Sequence, residues 1–207
     1  MLTRRLCSLF FGLWLYGFSV ALVITAGVGL NPWGVFHEGM ATQTSLSFGT
    51  VTVITGVVVL AMWVPLRERP GFGTVANVAV IGLSVDASLA LLPVFDSLVA
   101  RLPMMLVGVA LNAVATVLYI GAGMGPGPRD GLMTGLVGRS GGSVRVVRTS
   151  IEVVVLGIGW ILGGTLGVGT VVYALAIGPL VQLLMRMDVL VPTAPQVRRR
   201  AEAVVGT

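Results

Sequence analysis

The feature that most limits how this chain can fold is a match of the sequence to itself. Shifted by 96 positions without a gap, Ala26-Gly27-Val28-Gly29-Leu30-Asn31-Pro32 falls on Ala122-Gly123-Met124-Gly125-Pro126-Gly127-Pro128. Under the same shift Gly71-Phe72-Gly73-Thr74-Val75 falls on Gly167-Val168-Gly169-Thr170-Val171, and Gly82 falls on Gly178. Among 29 glycines a single matching pair would carry little weight. Two separated blocks that share one offset indicate an internal repeat.

What each copy can be follows from how apolar it is. With 56% hydrophobic residues and only 10% charged, the chain cannot cover a water-soluble surface and belongs in a bilayer. At about 20 residues per crossing, 207 residues leave room for about six spans and no separate soluble domain. Apolar runs bounded by charge, Pro or Gly place the expected spans at 6–30, 49–65, 73–93, 104–123, 147–163 and 168–186. The first run follows Arg4 and Arg5 as a secretory signal would, but it exceeds the roughly 7–15 residues of a signal's apolar region. It is therefore expected to stay as a helix.

The formal charge of +5 would suggest nucleic acid in a soluble protein, but here every basic residue is Arg and the arginines flank apolar runs. They read as topology determinants, and no nucleic-acid role is expected. With the N-terminus cytoplasmic, twelve of the thirteen fall inside and only Arg101 falls outside. The expectation is an all-α, multi-pass protein of a bacterial cytoplasmic (inner) membrane, with both termini cytoplasmic. Three spans per copy is an odd number, so the second copy enters from the opposite side. The fold class is thus six transmembrane helices as a 3+3 inverted repeat: 1–100 as repeat 1, 101–188 as repeat 2, and 189–207 as a basic cytoplasmic tail suited to anionic headgroups.

In that frame Gly27, Gly29 and Pro32 form an outward turn, and Gly123, Gly125 and Pro128 its inward counterpart. Gly71, Gly73 and Thr74 exchange with Gly167, Gly169 and Thr170 in the same sense. Proline suits the first turn of a helix, so Pro32 and Pro128 each open a short helix after spans one and four. Two arrangements satisfy these segments. They can dip into the membrane with their positive dipole ends toward a central site, or lie flat at the interface as amphipathic helices, anchored there by Trp33.

Few residues can carry chemistry. Asp86 lies inside an apolar run, where a charge costs at least about 2.5 kcal/mol, so it is either a proton- or cation-coupling site or a cap near the outer interface. Its repeat partner is Gln182. Arg148 and Glu152, four apart, share a helix face; with Arg129, Asp130 and Arg145 they form either a cytoplasm-facing pocket for an anionic ligand or a rim network ordering the connection. His37 and Glu38 read as a solvated outward pair. Tyr16 with Asn112, and Asn77 with Tyr173, are repeat-related polar pairs expected to hydrogen-bond between helices. No catalytic constellation is available with one His and one Cys, so the chain is expected to be neither an enzyme nor a holder of a metal or cofactor.

The run Gly125-Pro126-Gly127-Pro128-Arg129-Asp130-Gly131-Leu132-Met133, with Arg139, Arg148, Ile151-Glu152, Gly163-Gly164, Gly167 to Thr170, Gly178-Pro179 and Gln182, resembles the YczE/YitT-like group of bacterial integral membrane proteins. In the first half Gly29 to Pro32, Ser47 to Thr50 and Gly71 to Thr74 are similar to it as well, so the likeness covers residues 5–188. Relatives more often carry an acidic residue near Asn31-Pro32-Trp33-Gly34, a departure that leaves Asp130 as the acid of only one copy. The resemblance implies a polytopic membrane protein and supplies no catalytic residues. The expected function is a small-molecule transporter or permease with a site at the repeat interface, as a monomer, a homodimer or with a membrane partner. The alternative is a non-transporting accessory protein supporting an enzyme or exporter.

Overall fold

A computed structural model describes residues 2–186; the basic tail from 189 lies outside the described residues. Those residues form eight helices: α1 (Leu2–Ala26), α2 (Pro32–Thr44), α3 (Phe48–Leu66), α4 (Phe72–Leu89), α5 (Leu98–Gly121), α6 (Pro128–Ser140), α7 (Val144–Ile161) and α8 (Val168–Met185). No strand occurs among the described residues. The starts of α1 to α4 and of α5 to α8 are separated by the same 96 positions as the sequence blocks. Both prolines open helices as their fixed φ favours, with Asn31 capping α2 by accepting the Gly34 N–H at 2.8 Å.

Five helices, α1, α3, α4, α5 and α8, are long and apolar enough to cross a membrane. The sixth expected span coincides with α7, which has the length but carries Arg145, Arg148 and Glu152 in its first half. Large apolar side chains such as Val57, Leu83, Val99 and Leu175 point outward, as a surface wetted by lipid requires. Asp86, expected mid-span, sits only one turn from the end of α4 at Leu89.

At the centre α1 packs against α5, and the approach depends on glycine. A Cβ on Gly12 would sit 2.8 Å from the Tyr119 nitrogen, and one on its repeat partner Gly108 would sit 2.7 Å from Val23 Cγ2. Around this pair the halves interlock. α2 packs on α7 and α6 on α3, so each short helix leans on the third helix of the other half. The turns exchange in the same way: the Gly73 N–H donates to the Met124 carbonyl and the Gly169 N–H to the Val28 carbonyl, each at 2.8 Å. Gly29 and Gly125 adopt φ of +120° and +128°, which favours glycine, and a Cβ on Gly29 would also press on the Gly167 nitrogen.

Arg101, the one arginine on the wrong side of the charge pattern, has a partner in this exchange. Its Nε donates to the Ala26 carbonyl at 2.6 Å and Nη2 to Gly27 at 2.7 Å, closing the end of α1. Arg5 does the same for α5, donating to Ala122 at 2.7 Å and Gly123 at 2.6 Å. The outer pairs differ. α3 packs along α4, but no comparable contact joins α7 to α8.

Candidate functional site

A cavity of about 260 Å³ lies between the halves. Its walls are built from repeat-related pairs, among them Pro32 with Pro128, Trp33 with Arg129, Tyr16 with Asn112, Asn77 with Tyr173, and Ile81 with Ile177. Pockets for drug-sized ligands span roughly 300–1,000 Å³, so this one suits a smaller solute.

The first turns of α2 and α6 bring Trp33 and Arg129 together, with the guanidinium carbon 4.7 Å from the indole centroid. A cation over an aromatic face at that distance is held by the ring's quadrupole. Among the described residues Arg129 has no carboxylate within salt-bridge reach. Asp130 faces the same space, where the Tyr119 hydroxyl approaches its Oδ2 at 3.4 Å. Removal from water pushes the Asp130 carboxyl above its ordinary range, against the opposing pull of Arg148, Arg129 and the Gly127 N–H.

Arg148 and Glu152 also line the cavity and pair with each other, Nε to Oε1 at 3.2 Å. Their side chains are 44% and 41% exposed, so the pair stabilises little. Arg129, Asp130, Arg148 and Glu152 are therefore brought to one site. Asp86 and Gln182 are not among its walls. The Asp86 carboxylate accepts the Ser47 hydroxyl at 2.5 Å and the Gly49 N–H at 2.7 Å, capping α3 and tying it to α4. Gln182 stands at the matching position on α8, which lacks the extended packing on α7 that α4 has on α3.

Polar groups within the helices connect three of them. The Tyr173 hydroxyl donates to Asn112 Oδ1 at 2.7 Å, and Asn112 Nδ2 donates to Ser19 Oγ at 2.8 Å, linking α8, α5 and α1. The turn residues expected as hinges, Gly27, Gly29, Gly123 and Gly125, all have positive φ, and Thr74 and Thr170 accept the Gly71 and Gly167 N–H groups at the starts of α4 and α8.

His37 departs from the expected solvated face: it is only 2% exposed and lines the cavity. It lies four residues after Trp33 and so on the same side of α2, while Glu38 turns away to accept the Thr165 N–H. That shared face with Trp33 was the signal available in the sequence. The His37 ring is edged by Phe48, Phe36 and Trp33 at 5.6, 6.0 and 6.4 Å. Its Nδ1 is 3.1 Å from Thr52 Oγ1, and among the described residues its buried Nε2 has no hydrogen-bond partner. Burial, and next the charge of Arg129, hold the imidazole well below its usual range. Among the described residues no three His, Cys, Asp or Glu side chains gather as metal ligands would.

A model for a family of unknown function (DUF6198) matches residues 3–186. An uncharacterized protein of Haemophilus influenzae is 36% identical over 93% of this chain and 88% of its own length. The uncharacterized membrane protein YczE of Bacillus subtilis is 28% identical over 97% of this chain and 94% of its own. No solved structure matches the chain.

Proposed function

We propose, from the premise that the chain belongs to DUF6198, a family of unknown function, that this membrane protein is a non-enzymatic inner-membrane transporter of a small solute. The solute binds in the cavity between two inverted three-span halves. The carrying observation is that the cavity is walled by repeat-related residues from both halves, the position at which inverted-repeat transporters bind their substrates.

In this reading α7 is the sixth span, its charged first half facing the cavity and the cytoplasmic headgroups. The contact between Trp33 and Arg129 supports α2 and α6 as re-entrant helices. Had they lain flat on opposite faces, a hydrocarbon layer about 30 Å thick would separate them. In this reading their N-termini meet between the two faces, where both dipoles favour negative charge. The difference between the halves supports a cavity open to the cytoplasm. The outer ends of α3 and α4 are closed by Asp86 on Ser47 and Gly49, whereas α7 and α8 stand apart at the inner side.

The test compares internal and external small-molecule pools in a deletion strain, a complemented strain and one complemented with Arg129→Gln. Transport through the cavity changes at least one pool on deletion, and wild type but not the variant restores it. Unchanged pools in all three strains sink the transporter reading.

A further inference from the structure

We propose that Arg129 and His37 are the two contacts of a site for a small oxyanion, carboxylate or phosphate, which binds together with one proton carried by His37. This names the substrate class of the cavity and rests on the transporter reading only for its physiological use. The site is built from opposite halves. Arg129, stacked on Trp33, keeps its guanidinium fork free of any carboxylate among the described residues, and a planar fork is the donor geometry that oxyanions accept. His37, beside the same indole ring, carries a buried Nε2 that nothing among the described residues satisfies. An unpaired polar atom in such surroundings is costly and is resolved by a partner entering the cavity.

The hydrogen bonds on the far side of the ring leave two protonation patterns open to His37. The Thr52 hydroxyl lies 2.9 Å from the Phe48 carbonyl and 3.1 Å from His37 Nδ1, and its one proton can serve only one of them. When it goes to Phe48, the ring must carry its proton on Nδ1, and Nε2 is left as a bare acceptor. An added proton on Nε2 then turns His37 into a cation with an unpaired donor on a ring that lines the cavity, while the Thr52 contact is kept. The charged and titratable neighbours are Arg129 and Asp130 from α6, the Arg148–Glu152 pair from α7, and the hydroxyls of Tyr16, Tyr119 and Tyr173 from α1, α5 and α8. α3 and α4 bring Thr52 and Asn77 to this wall and no charge, since Asp86 is engaged at the end of α3. Burial opposes a proton on His37 most and Arg129 is the charged group that adds to it, so an anion on Arg129 removes the charge part of that opposition and brings a negative charge of its own to the ring. Proton and anion each favour the other by the same factor.

His37 is the only histidine in the chain, so ring-labelled protein gives one imidazole signal to titrate. The experiment follows that signal by NMR in the full chain, in detergent or nanodiscs, with acetate, with inorganic phosphate and with chloride at matched ionic strength. The expected result is a rise in the His37 midpoint with acetate or phosphate and none with chloride; which of the two acts separates carboxylate from phosphate recognition. Affinity for that anion falls by up to about tenfold per pH unit between the anion-free and anion-bound midpoints, the limiting slope for one linked proton, and levels off above them. Arg129→Gln removes the response, and His37→Gln leaves weaker binding without pH dependence. A His37 midpoint unmoved by both oxyanions in wild-type protein overturns the proposal, as does binding with no pH slope. These are equilibrium readouts, so linked binding without any change in cellular pools would sink transport and leave this site standing. Transport with an indifferent His37 would do the reverse.

Discussion

A methyl group on Gly131 would run into the six-membered ring of Trp63, whose indole N–H donates to the Pro128 carbonyl at 3.0 Å. The repeat partners reverse the sizes: Gly159 stands where Trp63 does, and Val35 stands where Gly131 does. Gly131→Ala is therefore expected to cost about 1–3 kcal/mol through overpacking, read as a lower thermal midpoint in detergent. Gly138→Ala, on the same helix with open space around it, should be neutral or slightly stabilising. His37 provides the residue-scale pH dependence. Its folded midpoint lies below the ordinary 6.5, so the unfolded chain takes up a proton that the folded chain refuses. Its contribution is complete above 6.5, declines as pH falls below that value and levels off below the folded midpoint. Asp130, raised in the fold, acts in the opposite sense, losing stability as pH rises above 3.8. The difference between wild type and His37→Gln isolates the first effect: unfolding midpoints of the variant should fall less between pH 6.5 and the lower plateau. The burial of His37 was hidden in the sequence because Glu38 beside it suggests a wet face, and only helical spacing from Trp33 indicated otherwise.

Among the elements, the ends of α1 and α5 are held by equivalent arginines, which predicts equivalent losses. Arg5→Ala and Arg101→Ala each remove two charge-assisted bonds to helix-end carbonyls, a cost of about 1.5–3 kcal/mol per bond at most, reduced by water that reaches the exposed side. Both variants should lower the thermal midpoint by similar amounts, and a loss confined to Arg5 would show that the halves are not held alike. The sequence made the helix boundaries legible, since glycine turns, Pro-initiated helices and the offset itself mark nearly every start. It did not make Arg101 legible: charge counting treats it as an exception, and only the carbonyls of Ala26 and Gly27 explain it. The same holds for Asp86. Hydropathy placed it deep in a span, but α4 ends at Leu89 and its carboxylate completes the cap of α3. Asp86→Ala should cost about 0.5–2 kcal/mol as lost caps do, and should leave oxyanion binding to Arg129 intact. A variant that binds normally but is thermally weakened fits a tie; loss of binding at full stability would return Asp86 to the site.

For the whole molecule the offset identifies which residues are equivalent, but it cannot say which faces meet. Contacts between halves depend on three-dimensional packing, so the crossing of α2 to α7 and α6 to α3, and with it the cavity, had no signature in one copy alone. The unequal outer pairs carry a prediction of their own. Ser143 and Gln182 are the equivalents of Ser47 and Asp86, and if the cavity turns outward they should approach as those residues do now. In a Cys7→Ser background, Ser143→Cys with Gln182→Cys should cross-link slowly in membranes and abolish any pool change once linked. Absence of cross-linking under conditions where transport proceeds would argue against such a turn.

The exchanged turns also bear on how the protein is made. The Val28 carbonyl, at the end of the first span, finds its donor only when Gly169 has left the ribosome, and Gly27 waits likewise for Arg101. The nascent first half therefore has its turn chemistry unfinished until the last span is made. Chains stopped before Gly169 should be preferred prey for membrane proteases, and supplying the missing last span in trans should rescue them.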